Sequence, residues 1–268
     1  MLKSPNFSIS GSTGKMGKEI IQTLLSINHI PKFLLDNPLS PFIDNNIGDL
    51  INIDSLNLKV TSNYQNAILN SDILIDFSQK DNTLNLLDFA YNNNQNIKFV
   101  IGTTGFNQQE EEKILLYANK LTILKSANFS KGINIILKIL NDYTKVLYNN
   151  NYDIEILEKH HKNKVDSPSG TALLLSNKIK DTLKDTTQIV DKMRGFENNL
   201  KQKNEIGISS IRGGGIIGEH EVIFLDEKEV ITISHQAIDR NIFAKTAVDL
   251  SFILLNKKHG LYNIADLL

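Results

Sequence analysis

The 268-residue chain carries 29 Lys and Arg against 30 Asp and Glu, a formal net charge of −1, with 41% hydrophobic residues and neither Cys nor Trp. It is long enough for one large or two modest domains, and its charge balance offers no broad positive field for a nucleic-acid backbone, so no nucleic-acid partner is expected. Without Cys there is no disulfide framework, thiolate zinc site or cysteine nucleophile, and no apolar run approaches the roughly 20 residues that would span a bilayer.

Residues 1–10 hold only a short apolar stretch that runs into a glycine loop, with no pattern of a secretory or transit leader, so a cytoplasmic location is the default expectation. Short β-branched or apolar runs then recur at 7–9, 33–35, 58–61, 73–77, 99–101 and 122–124, and read as strands. Between them, residues 15–27 place Met16, Ile20, Ile21, Leu24 and Leu25 on one stripe, and 82–91 and 109–120 repeat the 3.6-residue spacing of helices. Alternating strands and helices of this kind predict an α/β fold whose first part is a parallel sheet covered on both faces. After about Asn128 the pattern changes: a helix at 133–147, a strand at 154–157, a helix at 172–183, and strands at 206–211, 221–225 and 230–234 separated by Gly-rich or charged turns. This predicts a second, mostly antiparallel α+β unit, with a helix at 242–255 closing the chain.

The first chemically informative segment is the loop Gly11, Ser12, Thr13, Gly14, Lys15, Met16, Gly17 between the first strand and the first helix. Glycines there let backbone amides approach a pyrophosphate, and the helix N-terminus adds partial positive charge for the same anion. The dinucleotide fingerprint is met in part, because Ser12 stands where a glycine is expected and Gly11 precedes it. Asp36 ends the second strand, where an acid would accept from a ribose 2′-hydroxyl. A plain tight turn with a surface carboxylate is the competing interpretation; strand, loop, helix, strand and acid in the correct order favour the dinucleotide. Two more loops, Gly102-Thr103-Thr104-Gly105 and Ser126-Ala127-Asn128-Phe129, also follow strands of this half and would sit at the carboxyl edge of the sheet.

The richest stretch runs from Glu158 to Ala172, leaving a strand and opening a helix. Pro168 suits a first helical turn, after which Ser169, Gly170 and Thr171 offer amides and hydroxyls to a carboxylate or phosphate. His160, His161 and Lys164 precede this cradle: a tunable proton carrier and a fixed positive charge, which together imply an acidic substrate. If the strand persists through His160 and His161, the two rings point to opposite faces and have different roles, so a metal shared between them is not expected. A solvated basic loop with an ordinary helix cap is the alternative.

Together these segments resemble the dihydrodipicolinate reductase family of diaminopimelate and lysine biosynthesis. The resemblance spans the chain and is carried by the Gly11 to Gly17 loop, Ile101-Gly102-Thr103-Thr104-Gly105-Phe106, Ala127-Asn128-Phe129-Ser130, the double-His stretch through Gly170-Thr171-Ala172, and Gly218-Glu219-His220-Glu221. It implies a Rossmann-like cofactor domain over residues 1–128, a substrate and oligomerisation domain over 129–240, a C-terminal helical segment 241–268 returning to the first domain, and a homotetramer. NADH or NADPH would be held by Gly11, Ser12, Thr13, Gly14, Lys15, Met16, Asp36, Gly102, Thr103, Thr104, Ser126, Ala127, Asn128 and Phe129. His160 and Lys164 would be the catalytic pair, with His161, Gly170 and Thr171 on a small dicarboxylate substrate. The implied reaction is loss of a ring 4-hydroxyl as water with hydride transfer to C4, no metal taking part. Asn37 stands where some members of the family carry an Arg able to meet a 2′-phosphate, so NADH is expected to serve at least as well as NADPH. The competing functions are another two-domain NAD(P)-dependent oxidoreductase and a non-catalytic dinucleotide sensor.

Overall fold

The computed structural model describes residues 4–53, 56–184, 190–192 and 200–268; residues 1–3 of the opening stretch searched for a leader lie outside them. In chain order the first elements are β1 (Phe7–Ser10), α1 (Lys15–Ser26), β2 (Phe33–Leu35), α2 (Ile47–Ile51), β3 (Val60–Thr61), α3 (Tyr64–Leu69), β4 (Ile73–Asp76), α4 (Lys80–Asn92), β5 (Lys98–Ile101), α5 (Gln108–Tyr117) and β6 (Thr122–Lys125). There follow α6 (Lys131–Asn149), β7 (Asp153–His160), α7 (Gly170–Leu183), β8 (Val190–Lys192), β9 (Glu205–Arg212), β10 (Gly218–Leu225), β11 (Val230–Ala237), α8 (Asn241–Leu254), β12 (Gly260–Tyr262) and a 3-10 turn at Ile264–Asp266. The chain divides into two compact units, Met1–Lys131 with Asn241–Leu268, and Gly132–Arg240.

In the first unit seven parallel strands run in the order β12-β6-β5-β4-β1-β2-β3. Period-two alternation sends neighbouring side chains to opposite faces, and both faces are apolar. Phe7, Ile9, Leu34, Ile73, Ile75, Val100 and Leu124 pack with α1 and α8, whereas Leu35, Leu74, Phe99, Ile101 and Ile123 pack with α3, α4 and α5. The chain moves outward from β1 through β2 to β3 and then returns to β4 beside β1. That reversal separates the loops after β1 and β4 and opens the crevice in which a doubly wound sheet binds ligands.

The final helix does not close the chain as the sequence suggested. After α8, β12 adds to the sheet beside β6, pairing Leu261 with Ile123; three residues are too few to show a period. Thr246 lies buried within α8, its hydroxyl donating to the Ile242 carbonyl at 2.8 Å.

In the second unit a five-stranded sheet has the order β11-β10-β7-β9-β8. The expectation of a mostly antiparallel sheet is corrected: β7 with β9 and β9 with β8 are parallel, and only the β10 pairings with β7 and β11 are antiparallel. A parallel neighbour requires a crossover, and α7 lies in the connection between β7 and β9. One face carries Ile154, Ile156, Ile206, Ile208, Val222 and Phe224 against α6 and α7. Among the described residues no helix is long and apolar enough to cross a membrane.

Candidate functional site

In the first unit, Gly11 is the pivot of the loop after β1. Its φ of +74° is left-handed, and an added Cβ would lie 2.6 Å from the Phe77 carbonyl oxygen, so it supplies the tight turn of the partial fingerprint. Gly17 has the packing role: a Cβ there would meet the Gly11 oxygen at 2.2 Å. The amides of Gly11 and Ser12 donate to the Leu35 carbonyl, that of Gly14 to the Gly11 carbonyl, and that of Thr13 to Asp36 Oδ2 at 3.2 Å. These four amides therefore build the turn and are not turned to an anion, as sequence reasoning had them. The donors for an anion lie at the start of α1, where Gly14 is the N-cap, has no side-chain cap, and leaves the amides at Lys15 and Met16 facing out of the helix end.

Asp36 lies just beyond β2. Its Oδ2 also accepts from the Thr13 hydroxyl, and Oδ1 accepts from the Asn37 amide at 2.7 Å. With Gly11, Thr13, Gly14, Asn37, Phe77, Ser78, Gln79 and Asn82 it lines a cavity of about 270 Å³. A neighbouring cavity of about 690 Å³ is lined by Gly14, Lys15, Met16, Gly102, Thr103 and Thr104 together with Phe77 to Asp81. Gly102 lets the Phe77 ring pack closely there, since a Cβ would sit 2.1 Å from that ring. The loop from Ser126 to Phe129 lines neither cavity. Ser126 exchanges hydrogen bonds with Asn128, Ala127 is exposed, and Phe129 is buried against Phe77 with ring centroids 5.2 Å apart.

Sequence reasoning missed the loop after β4 and the residue beneath it. Asp76 is fully buried and accepts from Ser78 at 2.5 Å, Thr103 at 3.1 Å and the Thr83 hydroxyl, tying the loops after β4 and β5 together. Burial raises its pKa, against the hydrogen bonds from Ser78, Thr83, Ser10 and Thr103. The clue was a carboxylate ending an otherwise apolar strand. A cradle that side chains would fill, an uncapped helix start and an acid beside it fit a dinucleotide.

In the second unit the helix-covered face of β7 turns polar at its carboxyl end. Ile154 and Ile156 are core residues; Glu158 and His160 follow on the same face, both buried. Parallel pairing sets Glu158 opposite Ser210 and His160 opposite Arg212, while antiparallel pairing sets Glu158 opposite His220. Arg212 forks onto Glu158, Nη1 to Oε2 at 2.8 Å and Nη2 to Oε1 at 2.6 Å. Ser210 Oγ donates to Oε1 at 2.6 Å and the Ser169 amide to the same oxygen at 3.2 Å. Glu158 Oε2 lies 2.5 Å from His160 Nδ1. Burial alone would raise the Glu158 pKa, but Arg212, Ser210 and His160 outweigh it and bring it to about 2. His160 is shifted down by burial, against Glu158, with Lys164 and Arg212 adding to the fall.

The cradle differs in detail from expectation. Pro168 precedes the helix, and Ser169 is the N-cap, extended in backbone, its hydroxyl accepting from the Ala172 amide at 3.2 Å. That hydroxyl also lies 3.1 Å from His220 Nε2, and Ser169 is buried, so it organises the site from inside and does not offer its donors to a ligand. Serine outranks proline at this position because its oxygen satisfies a first-turn amide. Gly170 and Thr171 occupy the first two helical positions. β7 ends at His160; His161 is half-buried in the turn that follows, its carbonyl accepting from the Lys164 amide. Lys164 Nζ is 2.8 Å from Asp166 Oδ1. His220 is pushed down to about 4 by burial, assisted by the His160 charge, and its ring meets that of His160 edge to face at 5.1 Å. Glu158, His160 and His220 hold potential metal ligands within 4.8 Å of one another. Both Glu158 oxygens are, however, occupied by Arg212, Ser210, Ser169 and His160, and a cation would have to displace a guanidinium.

A doubly wound sheet with a dinucleotide loop in one unit, and a buried His-Glu pair leading to a helix start in the other, define a two-domain pyridine-nucleotide-dependent oxidoreductase. Models of dihydrodipicolinate reductase match residues 6–129 (N-terminus) and 132–268 (C-terminus). The 4-hydroxy-tetrahydrodipicolinate reductase of Clostridium novyi (strain NT) is 40% identical over 260 residues, 97% of this chain and 96% of its own. That of Buchnera aphidicola subsp. Baizongia pistaciae is 39% identical over 270 residues, covering 98% and 97%. The chain therefore belongs to the dihydrodipicolinate reductase family, whose members are NAD(P)H-dependent oxidoreductases. The dipicolinate-bound dihydrodipicolinate reductase of Paenisporosarcina sp. TG-14 shares the fold, with a TM-score of 0.74 at 24% identity over 97% of this chain and 98% of that one.

Proposed function

We propose that this protein uses NADH or NADPH to reduce 4-hydroxy-tetrahydrodipicolinate to tetrahydrodipicolinate with loss of water, in diaminopimelate and lysine biosynthesis. The observation that carries the assignment of roles is His160, held at Nδ1 by a buried carboxylate and set beside the opening of α7. The substrate's carboxylates are received at the start of α7 by Gly170 and Thr171, with His161. The dipole of a 14-residue helix favours negative charge at that end.

When bound, the reduced nicotinamide supplies the hydride for ring C4. The first unit holds the dinucleotide with the start of α1 against its pyrophosphate, Asp36 toward a ribose hydroxyl, and Gly102 to Thr104 along the adjoining cavity. His160 supplies the proton through Nε2. Burial keeps the imidazole neutral in the free site, and an arriving dianion favours the imidazolium, so the proton donor is charged when substrate is present. Lys164 exchanges its Asp166 partner for the substrate and adds positive charge to the departing hydroxyl.

A cytoplasmic homotetramer completes the proposal; exposed Ile211 and Val230 on β9 and β11 support association through the second unit. Reduced-nicotinamide consumption with the condensation product of pyruvate and aspartate semialdehyde tests the reaction. Activity only toward other carbonyl or amino acids would favour a different oxidoreductase, and nucleotide binding without turnover would favour a sensor.

A further inference from the structure

We propose that Glu158 is the positioning residue of the proton donor: clamped by Arg212, Ser210 and the Ser169 amide, it grips His160 through Nδ1 and leaves Nε2 as the ring nitrogen that exchanges protons with a bound substrate. This rests on the proposed role of His160 and goes beyond it by assigning the ring's proton and its control to residues outside the His-Lys pair. The geometry demands an acceptor at Nδ1. Glu158 is 0% exposed, receives a two-pronged guanidinium and a hydroxyl, and has no remaining freedom to turn away from the ring 2.5 Å distant. A carboxylate accepts only, so the neutral imidazole carries its proton on Nδ1 and turns a lone pair outward at Nε2. The orienting carboxylate stays charged because Arg212 arrives from β9, in the residue pair directly across from His160.

Among the described residues, the charged or titratable groups around the ring are Glu158 on its own strand, Lys164 in the loop after it, Arg212 on β9 and His220 on β10. Glu158 favours the imidazolium, and burial, Lys164 and Arg212 oppose it. Glu158→Gln keeps the shape, removes the charge and presents an NH₂ group to Nδ1. The neutral ring must then carry its proton on Nε2, and the imidazolium is less stable.

The test is a pH titration of the histidine ¹⁵N resonances, with His160 identified as the signal missing in His160→Gln. In the unsubstituted protein the neutral ring is expected to be protonated at Nδ1. In Glu158→Gln the midpoint is expected to fall by about one unit and the proton to move to Nε2. The alkaline limb of kcat against pH should move the same way, so turnover at pH 8 drops about tenfold, with NADH affinity unchanged. A neutral Nε2-protonated ring in the unsubstituted protein overturns the proposal, as does an unchanged midpoint in Glu158→Gln. The first measurement decides the matter even if Glu158→Gln does not fold. Normal turnover in His160→Gln would instead remove His160 from the reaction, and the titration would still report on the grip of Glu158.

Discussion

Replacing Asn37 by Arg should move the cofactor preference toward NADPH, because Asp36 beside it opposes a 2′-phosphate. Asp36 is fixed by three hydrogen bonds, from the Thr13 amide and hydroxyl and the Asn37 amide, so it cannot swing out of the cavity. A phosphate of charge about −1.5 at roughly 5 Å from one carboxylate charge is repelled by about 1 kcal/mol in water and about 2.5 kcal/mol at an effective dielectric of ~40, midway between bulk water and a protein surface. That is a preference for NADH of about five- to seventy-fold. Lys15 does not offset it, since it lines the neighbouring cavity and not the one containing Asp36. Arg at position 37 would add a charge-assisted contact of about 1.5 to 3 kcal/mol to the phosphate alone. The assay is kcat/KM with both cofactors for each protein. A tenfold or greater preference for NADPH in the unsubstituted chain would refute the argument from Asp36, and an unchanged ratio in Asn37→Arg would place the adenosine ribose away from this strand end.

Thr171→Val deletes one hydroxyl at the mouth of α7 and should weaken substrate binding by about 1 to 3 kcal/mol without altering NADH affinity; steady-state KM and fluorescence binding check both. Gly17→Ala forces a Cβ to within 2.2 Å of the Gly11 oxygen, and the backbone shift should cost about 1 to 3 kcal/mol in chemical denaturation together with dinucleotide affinity. Acid stability has a defined sign. His220 is held to about 4 in the folded protein against an ordinary 6.5, so the unfolded chain alone takes up a proton between those values. Stability therefore falls by about 3 kcal/mol as pH is lowered from 6.5 to 4. Glu158, at about 2 against 4.5, withdraws about 3 kcal/mol more between pH 4.5 and 2. His220→Gln should make the first slope shallower and leave the second, as read by denaturant midpoints across that range.

The parallel sheet was legible because strands buried on both faces must be apolar throughout, as at Ile73 to Ile75, and because helices between them keep one stripe. The dinucleotide loop was legible as a position, between strand and helix. Which glycine did what was not: the left-handed turn at Gly11 depends on the Phe77 carbonyl, far along the chain. Glu158 illustrates the same limit. Its partners Ser210 and Arg212 arrive through a parallel pairing that a run of short strands does not announce. The same hidden crossover led to a mostly antiparallel sheet being expected. Asp76 and the short β12 carry no local pattern, since each acquires its role only from neighbouring strands.

In the proposed reaction this chain carries out the reduction of its family with His160 as proton donor. The most direct measurement is initial-rate consumption of NADH and NADPH with freshly condensed pyruvate and aspartate semialdehyde, for the purified protein and for His160→Gln of matched thermal stability. The predicted result is robust turnover that falls by a factor on the order of 10² or more in the variant, with nucleotide affinity retained. No consumption by the folded unsubstituted protein would contradict the reaction, and near-normal turnover in the variant would contradict the role of His160.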